Sequence, residues 1–180
     1  WGFCEDNEGI VWVSIVTQGI FGVDPNSKQI VKKVEFSDNN NLKSNWINSM
    51  SKDKDGNLWL ASGDKGICRF NPETSEFKYY TSNSEIENSM HGMNSVFYIM
   101  VDRNNKLWIS LPFTGVDIYD INNDRFSHLK YDEHKENSLN LEQVIYIYED
   151  RSDWIWFLSQ TGIQKYNPIS DEFITIPTGR

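Results

Sequence analysis

The feature that most constrains this chain is a fourfold repeat. Trp12, Trp59, Trp108 and Trp156 stand 47, 49 and 48 residues apart. Six residues before each Trp is an Asp: Asp6, Asp53, Asp102 and Asp150. A Gly follows each Trp at a nearly fixed offset, as Gly19, Gly66, Gly115 and Gly162. Columns kept in register through four copies mean one supersecondary unit used four times.

Each copy has the same grammar. An apolar run comes first, as in Val144-Ile145-Tyr146-Ile147-Tyr148. A polar turn follows, clearest in Asp53-Lys54-Asp55-Gly56-Asn57, whose Asp and Gly suit tight hairpins that need positive φ. The next run holds the Trp, as Leu58-Trp59-Leu60-Ala61, and is apolar in both directions, so both faces should be covered. A third strand opens at the Gly, as Gly66-Ile67-Cys68-Arg69-Phe70. An Asx-Pro turn closes it in Asp24-Pro25, Asn71-Pro72 and Asn167-Pro168, while the third copy keeps Asp120 before Ile121. A fourth strand follows, as in Phe77-Lys78-Tyr79-Tyr80. Helix-period stripes are absent. The expected fold is all-β: a β-propeller with four-stranded antiparallel blades at 1–38, 42–82, 91–131 and 139–177. Radial packing of such blades covers both faces and leaves short edges. A β-solenoid is the structural alternative, with coils that would normally be shorter.

Polar segments rich in Asn and Ser separate the copies, at 37–45, 81–94 and 132–140. They read as crossings from one blade's outer strand to the next blade's inner strand, and 83–93 is the stretch expected to be most mobile. A net charge of −9 argues against phosphate-rich partners and anionic lipid. No apolar stretch approaches the length of a membrane span. The opening Trp1-Gly2-Phe3-Cys4 already reads as the end of a strand, so the chain is expected to be a piece of a longer protein. Cys4 and Cys68 have no metal-type spacing and fall in strand patterns, which reads as free thiols. A bridge between them is not expected. It needs Cα atoms within about 7 Å, and an inner strand of one blade should lie farther than that from the third strand of the next.

The repeat resembles that of two-component regulator propellers. The second copy carries the likeness most fully, in Asn41-Leu42, Ser44-Asn45, Ile47, Asp53, Gly56-Asn57-Leu58-Trp59, Gly66-Ile67, Phe70-Asn71-Pro72, Phe77 and Tyr80. The fourth shows it in Asn137-Ser138-Leu139, Val144, Ile147, Asp150, Trp156 and Gly162. Asn105 and Asp153 depart from the usual turn Gly. The resemblance implies an extracytoplasmic, periplasmic sensor propeller of about seven blades. In such proteins it precedes a membrane span, a histidine kinase and often a response regulator, as in Bacteroides-type hybrid systems. Oligosaccharides are the implied ligands, and the remaining blades and downstream domains the implied partners.

A residue recurring once per blade reads as packing or turn chemistry. Trp12, Trp59, Trp108 and Trp156 are therefore assigned structural roles, with Asp6, Asp53, Asp102 and Asp150 bonded to hairpin amides. Positions that differ between copies and fall at one rim carry more functional information. The crossings bring Asn45, Trp46, His91, Asn94, Glu142 and Gln143 to that rim, and the loops bring Gln18, Asp64, Lys65, Phe113, Thr114, Gln160 and Thr161. Aromatic rings beside amides and carboxylates suit sugars, and Trp46 stands out because the matching positions are smaller. For any one of these residues the competing reading is an ordinary polar rim.

No cofactor, metal site or catalytic residue is expected, and the chain itself is read as a binding module and not an enzyme. His128 falls in an outer-strand pattern and His134 in a crossing, with no evident base or metal partner. The enzymatic alternative is a propeller lyase of the streptogramin-inactivating type, for which His91 and Glu142 are the sole pair on offer. A protein-interaction scaffold is a third reading. Four blades, with no strand left to latch a ring, would expose two apolar end faces. The chain is therefore expected to hide them by pairing with a second copy, or else by closing as a small ring.

Overall fold

A computed structural model describes residues 2–36, 42–132 and 134–178. Residues 37–41 of the first crossing and Glu133 of the last lie outside the described residues. The described residues contain sixteen strands and no helix. They form four four-stranded sheets, each antiparallel and each with its strands in sequence order.

The chain divides into two compact units. The first holds two sheets. One is β1 (Phe3–Glu5), β2 (Val11–Ile15), β3 (Gly19–Asp24) and β4 (Gln29–Glu35). The other is β5 (Ile47–Lys52), β6 (Leu58–Ser62), β7 (Ile67–Phe70) and β8 (Phe77–Tyr80). In the second unit one sheet is β9 (Tyr98–Val101), β10 (Lys106–Leu111), β11 (Gly115–Asp120) and β12 (Arg125–Lys130). Its companion is β13 (Tyr146–Glu149), β14 (Ile155–Leu158), β15 (Ile163–Asn167) and β16 (Glu172–Ile176). Within the first unit β1 runs beside β5, and within the second β9 runs beside β13, so neighbouring sheets adjoin through their first strands.

One side chain organises each first hairpin. Asp53 Oδ1 accepts the amides of Asp55 (3.0 Å) and Asn57 (2.9 Å), while Oδ2 accepts the indole N–H of Trp59 at 2.9 Å. Asp6 does the same with Glu8, Ile10 and Trp12, and Asp102 with Asn104, Lys106 and Trp108. Asp150 repeats it with Ser152, Trp154 and Trp156. The same carboxylate thus shapes the turn and fixes the Trp ring six residues on. The left-handed corner of these turns is Gly9 and Gly56 in the first two copies and Asn105 and Asp153 in the others. Asn and Asp are among the non-glycine residues that tolerate this conformation, so the departures leave the turn intact.

Packing uses the Trp column directly. Trp12 meets Phe70 of the adjoining sheet edge-on at 5.2 Å, inside a cluster with Ile20, Leu42, Leu58 and Leu60. Trp108 meets Tyr166 of its adjoining sheet at 6.0 Å, in a cluster with Val116, Val144, Ile147 and Phe157. Strand β6 is buried along its whole length, as its two-sided apolar pattern requires.

The Gly column has a steric cause in three copies. A Cβ on Gly19, Gly66 or Gly115 would lie 2.1–2.3 Å from a carbonyl oxygen at the end of the neighbouring fourth strand, and all three have positive φ. Gly162 is different, with nothing nearer than Leu141 Cδ2 at 3.6 Å.

Side-chain bonds tie down the described residues of the second and third crossings. Ser82 Oγ donates to Gly92 O at 2.5 Å, Ser89 Oγ to Asn83 O and Ile86 O, and Asn88 exchanges bonds with Asp124 and Phe126. In the last crossing Ser138 Oγ donates to Asp132 O and Lys135 O, and Asn137 exchanges bonds with Asp171 and Phe173. The stretch 83–93, expected from its composition to be mobile, is therefore a hydrogen-bonded loop. Its Asn and Ser side chains supply the bonds that a strand ladder would otherwise supply.

Candidate functional site

In the first unit the crossing before β5 meets the loops after β2 and β6. Thr17 donates its amide to Asn45 O at 2.9 Å, which brings the Gln18 loop against the crossing. Gly63 donates to Trp46 O at 3.0 Å, and Gly66 to Asn94 O at 2.7 Å. Sequence-separated Gln18, Asn45, Trp46, Asp64, Lys65 and Asn94 are thus gathered by backbone bonds at one end of this unit.

Trp46 is 54% exposed, whereas Trp12, Trp59 and Trp108 are buried and Trp156 is half-buried. A Cβ on Gly63 would come within 3.0–3.2 Å of three indole atoms. The missing side chain lets the ring lie against the loop, one side supported and the other open to water. Next to it, Asp64 Oδ1 accepts hydroxyl bonds from Ser44 (2.6 Å) and Ser62 (3.1 Å), with Lys65 Nζ 3.4 Å from Oδ2. Partial burial works against the charge on Asp64. The bonds from Ser44 and Ser62 and the nearby Lys65 outweigh it and hold the carboxyl below its ordinary value. The result is a supported aromatic face beside an ionised, oriented carboxylate.

In the second unit, Phe113 is exposed in the loop after β10, held at positive φ. Thr114 beside it lies against Gly92. Gln160 lies in a shallow recess with Ser159, Thr161 and Thr178. Glu142 is exposed and Gln143 half-buried ahead of β13. Tyr98 and Tyr146, which the sequence did not single out, face each other at 4.4 Å on the adjoining first strands. Burial raises the Tyr98 phenol above its ordinary value.

His91 sits with the third and fourth strands of its own copy. Its amide donates to Asp117 Oδ2 at 2.7 Å, and its ring lies 3.3 Å, centroid to centroid, from that of His128. His128 Nδ1 is 2.7 Å from Asp117 Oδ1. The carboxylate that meets His91 is thus Asp117, whereas sequence reasoning paired it with Glu142. His128 also has the partner that the sequence did not reveal, because Asp117 reaches it across the β11–β12 ladder. Burial pushes His91 below its ordinary pKa and the neighbouring His128 adds to this, against the pull of Asp117. Cys4 and Cys68 are both free, the first half-buried on β1 and the second buried on β7.

Comparison with known proteins bears on the repeat and the fold. The family model described as two component regulator propeller matches residues 41–64, the segment that holds Trp46 and Asp64. No curated protein sequence matches the chain. Among solved structures, the fold is similar to the extracellular domain of BT3049, assigned to the hybrid two component systems of B. thetaiotaomicron. The TM-score is 0.78 at 20% identity, over 98% of this chain and 24% of that one. BT4673 of the same organism matches at TM-score 0.76 and 22% identity, again over 98% and 24%. Virginiamycin B lyase of Staphylococcus aureus matches at TM-score 0.69 and 14% identity, over 98% of this chain and 55% of that one. At these identities the structural likeness establishes the fold: the four sheets are β-propeller blades. The chain spans about a quarter of the length of the two B. thetaiotaomicron domains.

Proposed function

We propose that this chain is part of the ligand-detecting propeller of an extracytoplasmic two-component sensor, that it has no chemistry of its own, and that its ligand is an oligosaccharide. The observation that carries the reading is Trp46. It is an exposed, backbone-supported indole beside the ionised Asp64, inside the segment that matches the regulator-propeller repeat. A flat ring covers the apolar face of a sugar, while a fixed carboxylate and nearby amides such as Asn45 and Gln18 accept and donate to its hydroxyls. The resemblance to extracellular sensor domains supports the compartment and the role. Binding that favours one arrangement of the domains around the propeller would be read by a kinase across the membrane.

Calorimetric titration of the chain against a broad oligosaccharide panel tests this, with Trp46→Ala as the control. Binding by the wild type, weakened at least tenfold in the variant with folding unchanged, is expected. Silence across the panel, or equal affinity in both proteins, overturns it.

A further inference from the structure

In the second, third and fourth copies the crossing residue ahead of the blade's first strand has its backbone amide met by a cross-strand pair on the third and fourth strands, each time with different chemistry. In the second copy Lys43 donates its amide to Tyr79 Oη at 2.7 Å, and Tyr79 stands opposite Cys68. In the fourth, Asn140 donates its amide to Gln164 Oε1 and its side-chain amide to Thr175 Oγ1, and Gln164 stands opposite Thr175. In the third, the crossing residue is His91 and the opposed pair is Asp117 and His128. The fold needs only an acceptor for one N–H here. Two imidazoles around one carboxylate exceed that need.

The geometry points to a binding site for a divalent transition-metal ion of the zinc class, formed by His91, Asp117 and His128. One ligand atom from each residue lies within 4.8 Å of the other two. Asp117 Oδ1 is 2.7 Å from His128 Nδ1 and 3.6 Å from His91 Nδ1. Zinc–ligand bonds of about 2.0–2.2 Å, set tetrahedrally, ask for ligand atoms about 3.3–3.6 Å apart, so the His91 contact with Asp117 already has that spacing and the His128 contact needs to open by less than about 1 Å. Oδ2 of Asp117 is anchored on the His91 amide, which leaves Oδ1 presented to both rings, as an outer bond orients a metal-bound carboxylate.

A second observation is independent of the cluster's composition. Among the described residues, His91 Nδ1 is the one buried side-chain nitrogen or oxygen without a hydrogen-bond partner. A buried imidazole nitrogen facing a carboxylate and a second imidazole is short of a ligand, and a cation supplies one. The ion would replace the proton between His128 and Asp117 and bond to Nδ1 of His91. Its fourth position would open on the recess lined by Asn83, Glu87, Ser89 and His91. Imidazole nitrogens favour zinc, copper or nickel over magnesium and calcium, which prefer oxygen. The inference does not depend on the sugar reading, because no residue of the Trp46 cluster takes part.

The copies themselves suggest variants that should fold. His91→Asn and His128→Thr install the residues that the fourth copy uses at the same places. The tag-free 180-residue chain, stripped with a chelator, is titrated with Zn²⁺ by calorimetry and with Co²⁺ by absorption. We expect one equivalent of Zn²⁺ and a tetrahedral Co²⁺ spectrum, with affinity lowered about 100-fold in each variant. Mg²⁺ and Ca²⁺ should not compete. In the wild type, Zn²⁺ should shift the ring resonances of His91 and His128 and leave those of His134 in place, a readout that needs no variant to fold. Absence of Zn²⁺ binding, undiminished affinity in both variants, or equal shifts at His134 overturns the site.

Discussion

Asp53→Asn is nearly isosteric, yet it should be among the costly substitutions in this chain. Every group that Asp53 meets is a donor. Oδ1 takes the amides of Asp55 and Asn57, Oδ2 takes the Trp59 indole, and the Asn57 side-chain amide reaches both oxygens at 3.1 Å. An asparagine must turn its NH₂ toward one side or the other, and either way it faces an N–H. One charge-assisted bond is lost outright, worth about 1.5–3 kcal/mol, and the remaining bonds fall to neutral strength. With Asp53 only 3% exposed, water cannot replace the missing acceptor. The total should be about 2–4 kcal/mol. Urea denaturation followed by Trp fluorescence measures it, with the exposed Asp55→Asn as a control that should stay within about 0.5 kcal/mol of wild type. The cost should also shrink in a Trp59→Phe background, where the opposing donor is gone. A loss below about 0.5 kcal/mol for Asp53→Asn would refute the argument, since donor counting is the main difference between the two side chains.

The glycine column should split under alanine. Gly115→Ala brings Cβ within 2.1 Å of Leu129 O at positive φ and should cost about 2–5 kcal/mol, whereas Gly162→Ala should be neutral to within about 1 kcal/mol in the same denaturation assay. The bond from Trp156, with the amides of Ser152 and Trp154, depresses the pKa of Asp150. Its contribution is therefore complete above the unfolded value, about 3.9, and is lost as pH falls through the lower native value. The stability gap between wild type and Asp150→Asn should narrow over that window and stay flat from pH 5 to 7. Burial pushes the Cys68 thiol up to about 12, and Cys4 is raised less, so iodoacetamide at pH 8 should label Cys4 in the native chain and reach Cys68 only after unfolding. Equal labelling of the two before unfolding would contradict this.

What was legible in the sequence was what is local. The Asp, Trp and turn residues of a hairpin lie within six positions, so their repetition announces four strands per copy, and the structure has four. The left-handed corners at Asn105 and Asp153 could be located for the same reason. The indole end of the Asp–Trp link was not anticipated, although its spacing was in plain view, because a carboxylate at a turn has amides enough to explain it. The cluster of His91, Asp117 and His128 was invisible. Its members come from a crossing and two strands, 11 and 26 residues apart, and become neighbours only through the β11–β12 register. Gly162 shows the opposite failure, a residue that matches its column while the steric reason for the column is missing. Trp46 was legible as an odd residue, but the glycine that supports its ring was not, since Gly63 belongs to no repeat.

The carboxylate hook has a kinetic consequence. Each Asp–Trp bond closes a loop of six residues, and each hairpin it anchors pairs residues fewer than twenty apart in the chain. Closing so short a loop sacrifices little chain entropy, and doubling its length would add only about 0.6 kcal/mol. Folding rates of small proteins follow the mean sequence separation of their contacts, so a blade of this kind should form quickly for an all-β element. All four copies carry the hook, and none depends on another to make it. The chain therefore has four equivalent places at which order can begin as it emerges from the ribosome, and it need not wait for its distant end.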